Sequence, residues 1–414
     1  MSDHAGSVIT TTTDPSEWIL AKGYRFAGVV SGLRSEPNRR DIGAIVSDTH
    51  ASAAGVFTLN RVAAAPVQVS RKRVPSAEIK GIICCSGNAN ACTGAQGIQD
   101  AEMMALALGS HVSASGEEIL VASTGIIGRL LPMSIVGPGI VAAADALRDN
   151  ADALNDFAHS ILTTDTKVKV ATLEVNLHGT PIRFTGIAKG AAMIGPNMAT
   201  MLGFILTDAP IAPSLLQEAL ARAVDRTFNC ISVEGHMSTN DTVFALANGA
   251  AGGPPITGHG NHFLQFENDL TRVCSQLARA IAEDAEGATH LVEILIDGAH
   301  SEADARQIAK TVAESALVKT ALFGADPNWG RIVSAAGYSG VCFEEKDLSL
   351  QLGPYVLYDQ GTPVEFNEAE VSRYMKENRH LVVKLTFTLG SAQCHYWTCD
   401  LTHDYVTLNA EYTT

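Results

Sequence analysis

The sequence predicts a mixed α/β fold in which β-sheets are layered against helices. Three observations predict it. Strand-like and helix-like periodicities both occur along the chain. They follow one another without the regular strand–helix–strand alternation of a doubly wound parallel sheet. With 46% hydrophobic and 18% charged residues, the 414-residue chain can fill one large core or two ordinary ones, and it does not read as extended disorder.

Residues 1–20 are expected to form a flexible arm, since the first dozen are polar and end in the run Thr10 to Thr13. From Trp18 the chain is Gly- and Ala-rich with short β-like runs. One of these is Ile119-Leu-Val121, after which Ser123-Thr-Gly reads by itself as an ordinary turn. Residues Ala171 to Ala188 read as a hairpin. Leu173, Val175 and Leu177 alternate with polar residues, His178-Gly-Thr-Pro181 turns the chain, and Ile182 and Phe184 resume the alternation.

Ser214 and Gln217 have capping-box spacing, and Leu215, Leu216, Ala219, Leu220, Ala223 and Val224 follow at helical intervals. Gly249 to Gly260 is a Gly/Pro-rich loop and a candidate insertion. Phe263, Phe266, Leu270, Val273, Leu277 and Ile281 mark a second helix that ends by Gly287. Val292, Ile294 and Ile296 mark a strand, Ser301 and Asp304 open a helix carrying Ile308 and Val312, and Val383, Leu385, Phe387 and Leu389 mark a long strand.

The charge balance excludes some partners. Lys plus Arg number 29 against 44 Asp plus Glu, a formal charge of −15. A nucleic-acid binder or a binder of anionic membranes needs a positive footprint, which this composition lacks. A small anionic substrate needs only one well-placed cation. The most apolar stretch, Ala191 to Leu206, is too short to span a membrane and is interrupted by Gly195, Pro196 and Asn197. The first residues carry no basic leader or apolar run, so a cytoplasmic protein is expected. The cysteines (Cys84, Cys85, Cys92, Cys230, Cys274, Cys342, Cys394 and Cys399) include no CxxC pair, and free, mostly buried thiols are expected rather than disulfides or a metal site.

The segment from Gly186 to Ala209 is too apolar for a surface loop, yet Gly190, Gly195 and Pro196 argue against a regular helix or strand before Met198. It holds one cation, Lys189. Either that lysine snorkels to solvent from a buried connection, or it is buried and faces an anion. Composition alone favours the snorkelling lysine. No GxSxG elbow and no Ser-His-Asp pattern among the 13 histidines points to a conventional nucleophile.

The stretch Lys189-Gly-Ala-Ala-Met-Ile-Gly-Pro-Asn-Met-Ala-Thr-Met-Leu202 resembles the self-cleavage signature of the ornithine acetyltransferase family, the glutamate N-acetyltransferases of arginine biosynthesis. Further blocks resemble the family in the family's own order. They are Gly23-Tyr-Arg-Phe-Ala-Gly28, Cys85-Ser-Gly-Asn-Ala-Asn-Ala-Cys-Thr-Gly94, Ser123-Thr-Gly-Ile-Ile-Gly128, Thr163-Thr-Asp-Thr166, Ser238-Thr-Asn-Asp-Thr242, Gly324-Ala-Asp-Pro-Asn-Trp-Gly-Arg331 and Asn409-Ala-Glu-Tyr-Thr-Thr414.

The resemblance implies a sandwich of sheets flanked by helices, of the N-terminal-nucleophile type. It implies that the chain cuts itself between Ala199 and Thr200, giving an α-chain of 199 residues and a β-chain of 215. Thr200 would then carry both a hydroxyl and a free α-amine. A hydroxyl needs a base to become a nucleophile, and an α-amine has an ordinary pKa of about 7.7–8.0, so one residue supplies both groups. Thr200 would take acetyl from N-acetylornithine and pass it to glutamate in a ping-pong reaction. The resemblance covers a monofunctional form, which recycles acetyl between ornithine and glutamate, and a bifunctional form that also accepts acetyl-CoA, and the residues do not decide between them; no cofactor is expected. The tetrahedral oxyanion would be held by the Thr124 hydroxyl and the Gly125 backbone N–H, a glycine allowing close backbone approach. Substrate binding carries over to Thr163, Lys189, Thr200, Glu286, Asn409 and Thr414, with Lys189 as carboxylate partner, Glu286 as partner of the ornithine amine, and a C-terminal tail that docks into the site. The expected assembly is α2β2.

The chain departs from the family pattern at three places. Ala191-Ala192 stands where Ser-Gly is usual, Glu234-Gly-His236 where an Asp-Gly-Asp-like triplet is usual, and Thr413 where Arg is usual. Two other functions remain to be weighed. An amidase or aminopeptidase of similar architecture would release the acyl group to water. A non-catalytic binding protein would stay uncut.

Overall fold

The computed structural model describes residues 9–10, 13–177, 179–195 and 201–411. The strands of its first sheet are β1 (Ile9–Thr10), β2 (Tyr24–Val29), β3 (Ile42–Phe57), β4 (Ser76–Asn88), β5 (Ile119–Ile126), β6 (Lys169–Leu177), β7 (Thr180–Lys189), β8 (Leu202–Thr207) and β9 (Thr242–Ala247). Among the described residues they form one nine-stranded sheet in the order β1-β6-β7-β8-β9-β3-β4-β5, with β2 also on β3. The second sheet holds β10 (Leu291–Ala299), β11 (Leu348–Leu352), β12 (Tyr355–Asp359), β13 (Thr362–Pro363), β14 (His380–Phe387) and β15 (Ala392–Cys399). The helices are α1 (Ala65–Arg71), α2 (Gly94–His111), α3 (Met133–Asp145), α4 (Ala151–Ser160), α5 (Pro213–Arg226), α6 (Asn261–Glu283), α7 (Glu302–Glu314), α8 (Ala316–Phe323), α9 (Trp329–Gly337), α10 (Glu368–Glu377) and α11 (His403–Glu411).

The mixed, layered architecture expected from the sequence is the one observed. The central strands of the large sheet are covered on both faces. Ile182, Phe184, Ile205 and Val243 pack with Leu216 and Leu220 of α5 and Phe263, Phe266 and Leu270 of α6. On the opposite face Ile187, Leu202, Phe204, Leu206 and Phe244 pack with Leu154 and Phe157 of α4. A separate core joins the second sheet to α7–α10. Burial on both faces explains why Leu202–Thr207 and Thr242–Ala247 are apolar without alternation, a pattern that does not reveal a strand by period.

The hairpin is β6–β7, paired from Lys169↔Ala188 to Leu177↔Thr180, and Gly186–Lys189, read from sequence as irregular, is the end of β7. The Gln217 side chain does not cap α5. Its amide exchanges two hydrogen bonds with the backbone of Gly55 in β3, at 3.0 and 3.1 Å, and the helix starts from Pro213 instead. Ser301 does cap α7, accepting from Asp304 N–H at 3.1 Å.

Of the arm expected over residues 1–20, residues 1–8 and 11–12 lie outside the described residues, and the rest is packed on the sheet rather than loose. Ile9 pairs with Leu173, Trp18 is buried, and the Ile19 N–H donates to Thr172 Oγ1, because an indole ring gains more against the sheet than in water. The eight cysteines are free, six of them buried. Among the described residues no helix is long and apolar enough to cross a membrane.

Candidate active site

Ser123-Thr124-Gly125 is strand rather than turn. It lies near the end of β5, which runs parallel to β4 with Cys85 opposite Ser123 and Ser86 opposite Thr124. At the end of β4 the register slips, and Asn88 faces both Thr124 and Ile126. The slip is a local irregularity of the kind that re-aims a strand end beside a site. Gly125 has φ +129°, and a Cβ there would come within 2.4 Å of the Gly87 carbonyl carbon. The glycine is therefore required by the neighbouring strand, in addition to any approach by a ligand.

Lys189 ends β7 on the face opposite α6. It is 1% exposed, so it does not snorkel. Its Nζ lies 3.3 Å from Thr163 Oγ1. Among the described residues no carboxylate lies within ion-pair distance of it, although Asp165 and Asp241 act on it from further away. Burial lowers its pKa, and those two carboxylates work in the opposite direction.

Thr163 belongs to the loop 161–168 between α4 and β6. Its carbonyl accepts from the Arg39 guanidinium, and the preceding Leu162 carbonyl accepts from Arg34 Nη1 at 2.8 Å. Beneath this loop lies a buried ionic cluster. Lys169 Nζ donates to Asp165 Oδ1 at 2.7 Å and to Asp284 Oδ2 at 2.6 Å. Asp165 also accepts the N–H groups of Thr163 (3.1 Å) and Gly190 (2.6 Å). Burial pushes the Asp165 carboxyl up, but the charges of Lys169 and Lys189 outweigh it and hold its pKa at about 2. Asp284 accepts the N–H of Thr166 at 3.1 Å and the Thr166 hydroxyl. The loop, the end of β7 and the end of α6 are thus tied at one point.

Two residues after Asp284, the Glu286 N–H donates to the Ala191 carbonyl at 2.9 Å. Burial raises the pKa of its carboxyl, which Asn409 Nδ2 of α11 approaches at 3.4 Å. Downstream of Ala191, the Ile194 carbonyl accepts from three consecutive amides, Val233, Glu234 and Gly235, at 2.8, 3.3 and 3.2 Å. Met193 takes a left-handed φ of 58°, a conformation that costs a side-chain-bearing residue about 1 kcal/mol or more.

These elements enclose a cavity of about 80 Å³. Thr124, Gly125, Thr163, Lys189, Glu286 and Asn409 all line it, so six residues expected from sequence converge from five separate places in the chain. Ala199, Thr200 and Thr414 lie outside the described residues, as does Thr413. Ala192 and Met193 also line the cavity, whereas His236 is exposed and is not among its lining residues. The Gly324–Arg331 block lies apart from it, where the Asn328 side chain caps α9 by accepting from the Arg331 N–H at 3.3 Å.

Sequence reading singled out no role for Ser238, Thr239 and Asn240, which also line the cavity. Asn240 is 6% exposed, and its Nδ2 donates to the carbonyls of Ala89 (2.6 Å) and Ser123 (2.9 Å). Asp165, Lys169 and Asp284 were likewise unassigned. The available signal was the polarity of Thr163-Thr-Asp-Thr166 and Ser238-Thr-Asn-Asp-Thr242 between apolar segments. Chemically, the site offers hydroxyl and amide donors, the buried cation Lys189, and the carboxylate of Glu286 with its pKa raised by burial.

A profile described as the ArgJ family matches residues 25–414. The chain is 46% identical over 402 residues to the arginine biosynthesis bifunctional protein ArgJ 1 of a Nostoc species, covering 95% of this chain and 97% of that protein. It is 45% identical over 402 residues to the arginine biosynthesis bifunctional protein ArgJ of a Synechocystis species, with the same coverage. A crystal structure of the arginine biosynthesis bifunctional protein ArgJ from Bacillus halodurans matches at 41% identity with a TM-score of 0.50. It covers 51% of this chain and 100% of the solved chain.

Proposed function

The chain belongs to the ArgJ family, and from that premise we propose that it is an acetyl-transferring enzyme of arginine biosynthesis, a glutamate N-acetyltransferase. The observation that carries this reading is the convergence of Thr124, Gly125, Thr163, Lys189, Glu286 and Asn409 on one cavity. N-acetylornithine gives its acetyl group to Thr200 and leaves as ornithine. Glutamate then takes the acetyl group and leaves as N-acetylglutamate. The word bifunctional in the relatives' names favours a second activity, which we assign to acetyl-CoA as donor.

The Thr200 α-amine removes the hydroxyl proton as Oγ attacks the acetyl carbonyl. Thr124 and Gly125 donate to the oxyanion, where preorganised donors contribute several kcal/mol. Collapse expels the ornithine amine, which takes the proton, and leaves an ester on Thr200. The glutamate amine reverses these steps. Lys189 holds the α-carboxylate common to both amino acids, and Glu286 faces the ornithine side-chain ammonium.

The nucleophile comes from self-cleavage between Ala199 and Thr200. The bond lies in the connection between β7 and β8, which are antiparallel neighbours paired from Phe184↔Thr207 to Lys189↔Leu202. A cut there leaves the strands on either side hydrogen-bonded inside one sheet, so the α- and β-chains stay together. The solved Bacillus halodurans chain, which matches about half of this one over its whole length, supports a cut near the middle.

A denaturing gel with N-terminal sequencing tests the proposal. Two fragments of 199 and 215 residues are expected, the second starting at Thr200. Thr200→Ala should remain one inactive chain. Mass spectrometry after addition of N-acetylornithine should place one acetyl group on the fragment that starts at Thr200, and glutamate should release it faster than water does. An intact wild-type chain that turns over N-acetylornithine would overturn the mechanism. Sizing of the cut protein tests the expected α2β2 assembly.

A further inference from the structure

Asp241 precedes β9 and is 1% exposed. Its backbone is fixed on two sides, because its carbonyl accepts the Thr58 N–H at 2.9 Å and the Thr242 N–H donates to the Met201 carbonyl at 3.2 Å. The parallel pairing of β8 with β9, with Leu202 opposite Thr242, brings Asp241 against the start of β8. There its Oδ1 accepts the Met201 N–H at 3.2 Å. Its Oδ2 is shut off from solvent and has no partner within hydrogen-bond distance among the described residues, the Ser238 N–H and hydroxyl acting on the carboxylate only from further away.

An unpaired oxygen on a buried carboxylate is costly, and such a group usually awaits a donor or a cation. Met201 is bonded directly to residue 200, whose nitrogen is only three covalent bonds from the Met201 nitrogen. Standard bond lengths place two such nitrogens about 3 to 3.5 Å apart. The two oxygens of one carboxylate can reach both. In an uncut chain the nitrogen of residue 200 is a neutral amide with one hydrogen. A cut before residue 200 turns it into an amine that carries two or three hydrogens and, when protonated, a positive charge.

We propose that Asp241 is the positioning residue for the catalytic amine. Oδ1 keeps the Met201 N–H, and Oδ2 accepts an N–H of the Thr200 α-amine released by cleavage, turning its lone pair toward Oγ. This rests on the reading that the chain cuts itself before Thr200. The charged group acting on Asp241 is Lys189 of β7, with Asp165 beyond it. Burial pushes the pKa of the Asp241 carboxyl well up, against the Met201 amide, Lys189 and the neighbouring Ser238.

Asp241→Asn tests the proposal, because the amide oxygen can still accept from Met201 while the negative charge is lost. The cut variant is expected to lose roughly 10- to 100-fold in kcat with KM little changed, as for a base held slightly out of place. The acid limb of its kcat/KM profile is expected to move down by about one pH unit, since the nearby anion no longer favours the protonated amine. A cut variant with wild-type kcat and a wild-type acid limb would overturn the proposal. If Asp241→Asn halts cleavage, co-expression of residues 1–199 with 200–414 supplies the two-chain complex directly, and the same kinetic criteria decide. A wild-type chain that stays uncut would overturn the cleavage reading itself, and a gel separates that failure from the others.

Discussion

Lys169 and Asp284 form an ion pair of 2.6 Å with both side chains almost closed to solvent. One partner belongs to the segment before the proposed cut and the other to the segment after it, so the pair fastens the two prospective chains under the site. Asp165, on the other side of the same ammonium, extends the link to the Thr163 loop and to Gly190. Lys169→Met should leave two buried carboxylates facing each other, and a loss of about 3–5 kcal/mol is expected for breaking such a cluster from one side. Denaturant unfolding of the cut protein measures it. A shift within experimental error would mean that the cluster contributes little.

Lys189 hydrogen-bonds to a threonine hydroxyl and has no close ion pair among the described residues, so its charge is available to an incoming carboxylate. Lys189→Met is expected to raise KM for glutamate by about 10- to 100-fold, the effect of losing one charge-assisted hydrogen bond of roughly 1.5–3 kcal/mol. An aminated analogue lacking the α-carboxylate should bind the variant and the wild type alike. Steady-state kinetics with both compounds checks this.

Gly125→Ala should act through the adjacent strand. The added methyl group would meet the Gly87 and Asn88 backbone at 2.4–2.7 Å, and the φ of +129° is unfavourable for alanine. A stability loss of roughly 2 kcal/mol or more is expected, with a fall in kcat of about 100-fold as the oxyanion donors move. Asn240→Ala should lower kcat through the same donors, because it releases the Ser123 carbonyl from the Ser238–Asn240 loop. Its KM should change less than its kcat.

Glu234 gives the fold a pH dependence. Burial lifts its carboxyl from an ordinary 4.5 to about 7, against the pull of the Ile194 and His236 amides and the Lys319 charge. Below pH 4.5 the group is protonated whether the chain is folded or not, and it carries no penalty. Above pH 7 it is ionised in both states, and the fold bears the full cost of a buried charge, roughly 3 kcal/mol. The Glu234 contribution to stability should therefore decline as pH rises from about 4.5 to 7. Unfolding curves across that window should show the decline in the wild type, and Glu234→Gln should flatten it. Equal slopes in the two proteins would show that Glu234 is not the group responsible.

The sequence by itself determined the fold class, the β6–β7 hairpin and the positions of α5, α6 and α7, because these are periodicities and cap residues written in consecutive positions. The six residues that line one cavity came from the resemblance to a known family, not from periodicity or spacing. The strands β8 and β9 were not legible as strands, because burial on both faces removes the alternation that marks a half-exposed strand. Nor could sequence show that Gln217 leaves its helix end for Gly55, or that Trp18 is buried in a segment read as an arm. Only the tertiary structure decided that, among the described residues, Lys189 is buried without a close anion, Lys169 lies between Asp165 and Asp284, and Asp241 reaches Met201 with one oxygen unpaired. The Lys169 and Asp241 contacts join residues from 4 to more than 100 positions apart, set by strand register and helix packing. Residue order does not encode such distances directly. The path of the backbone through the sheet does.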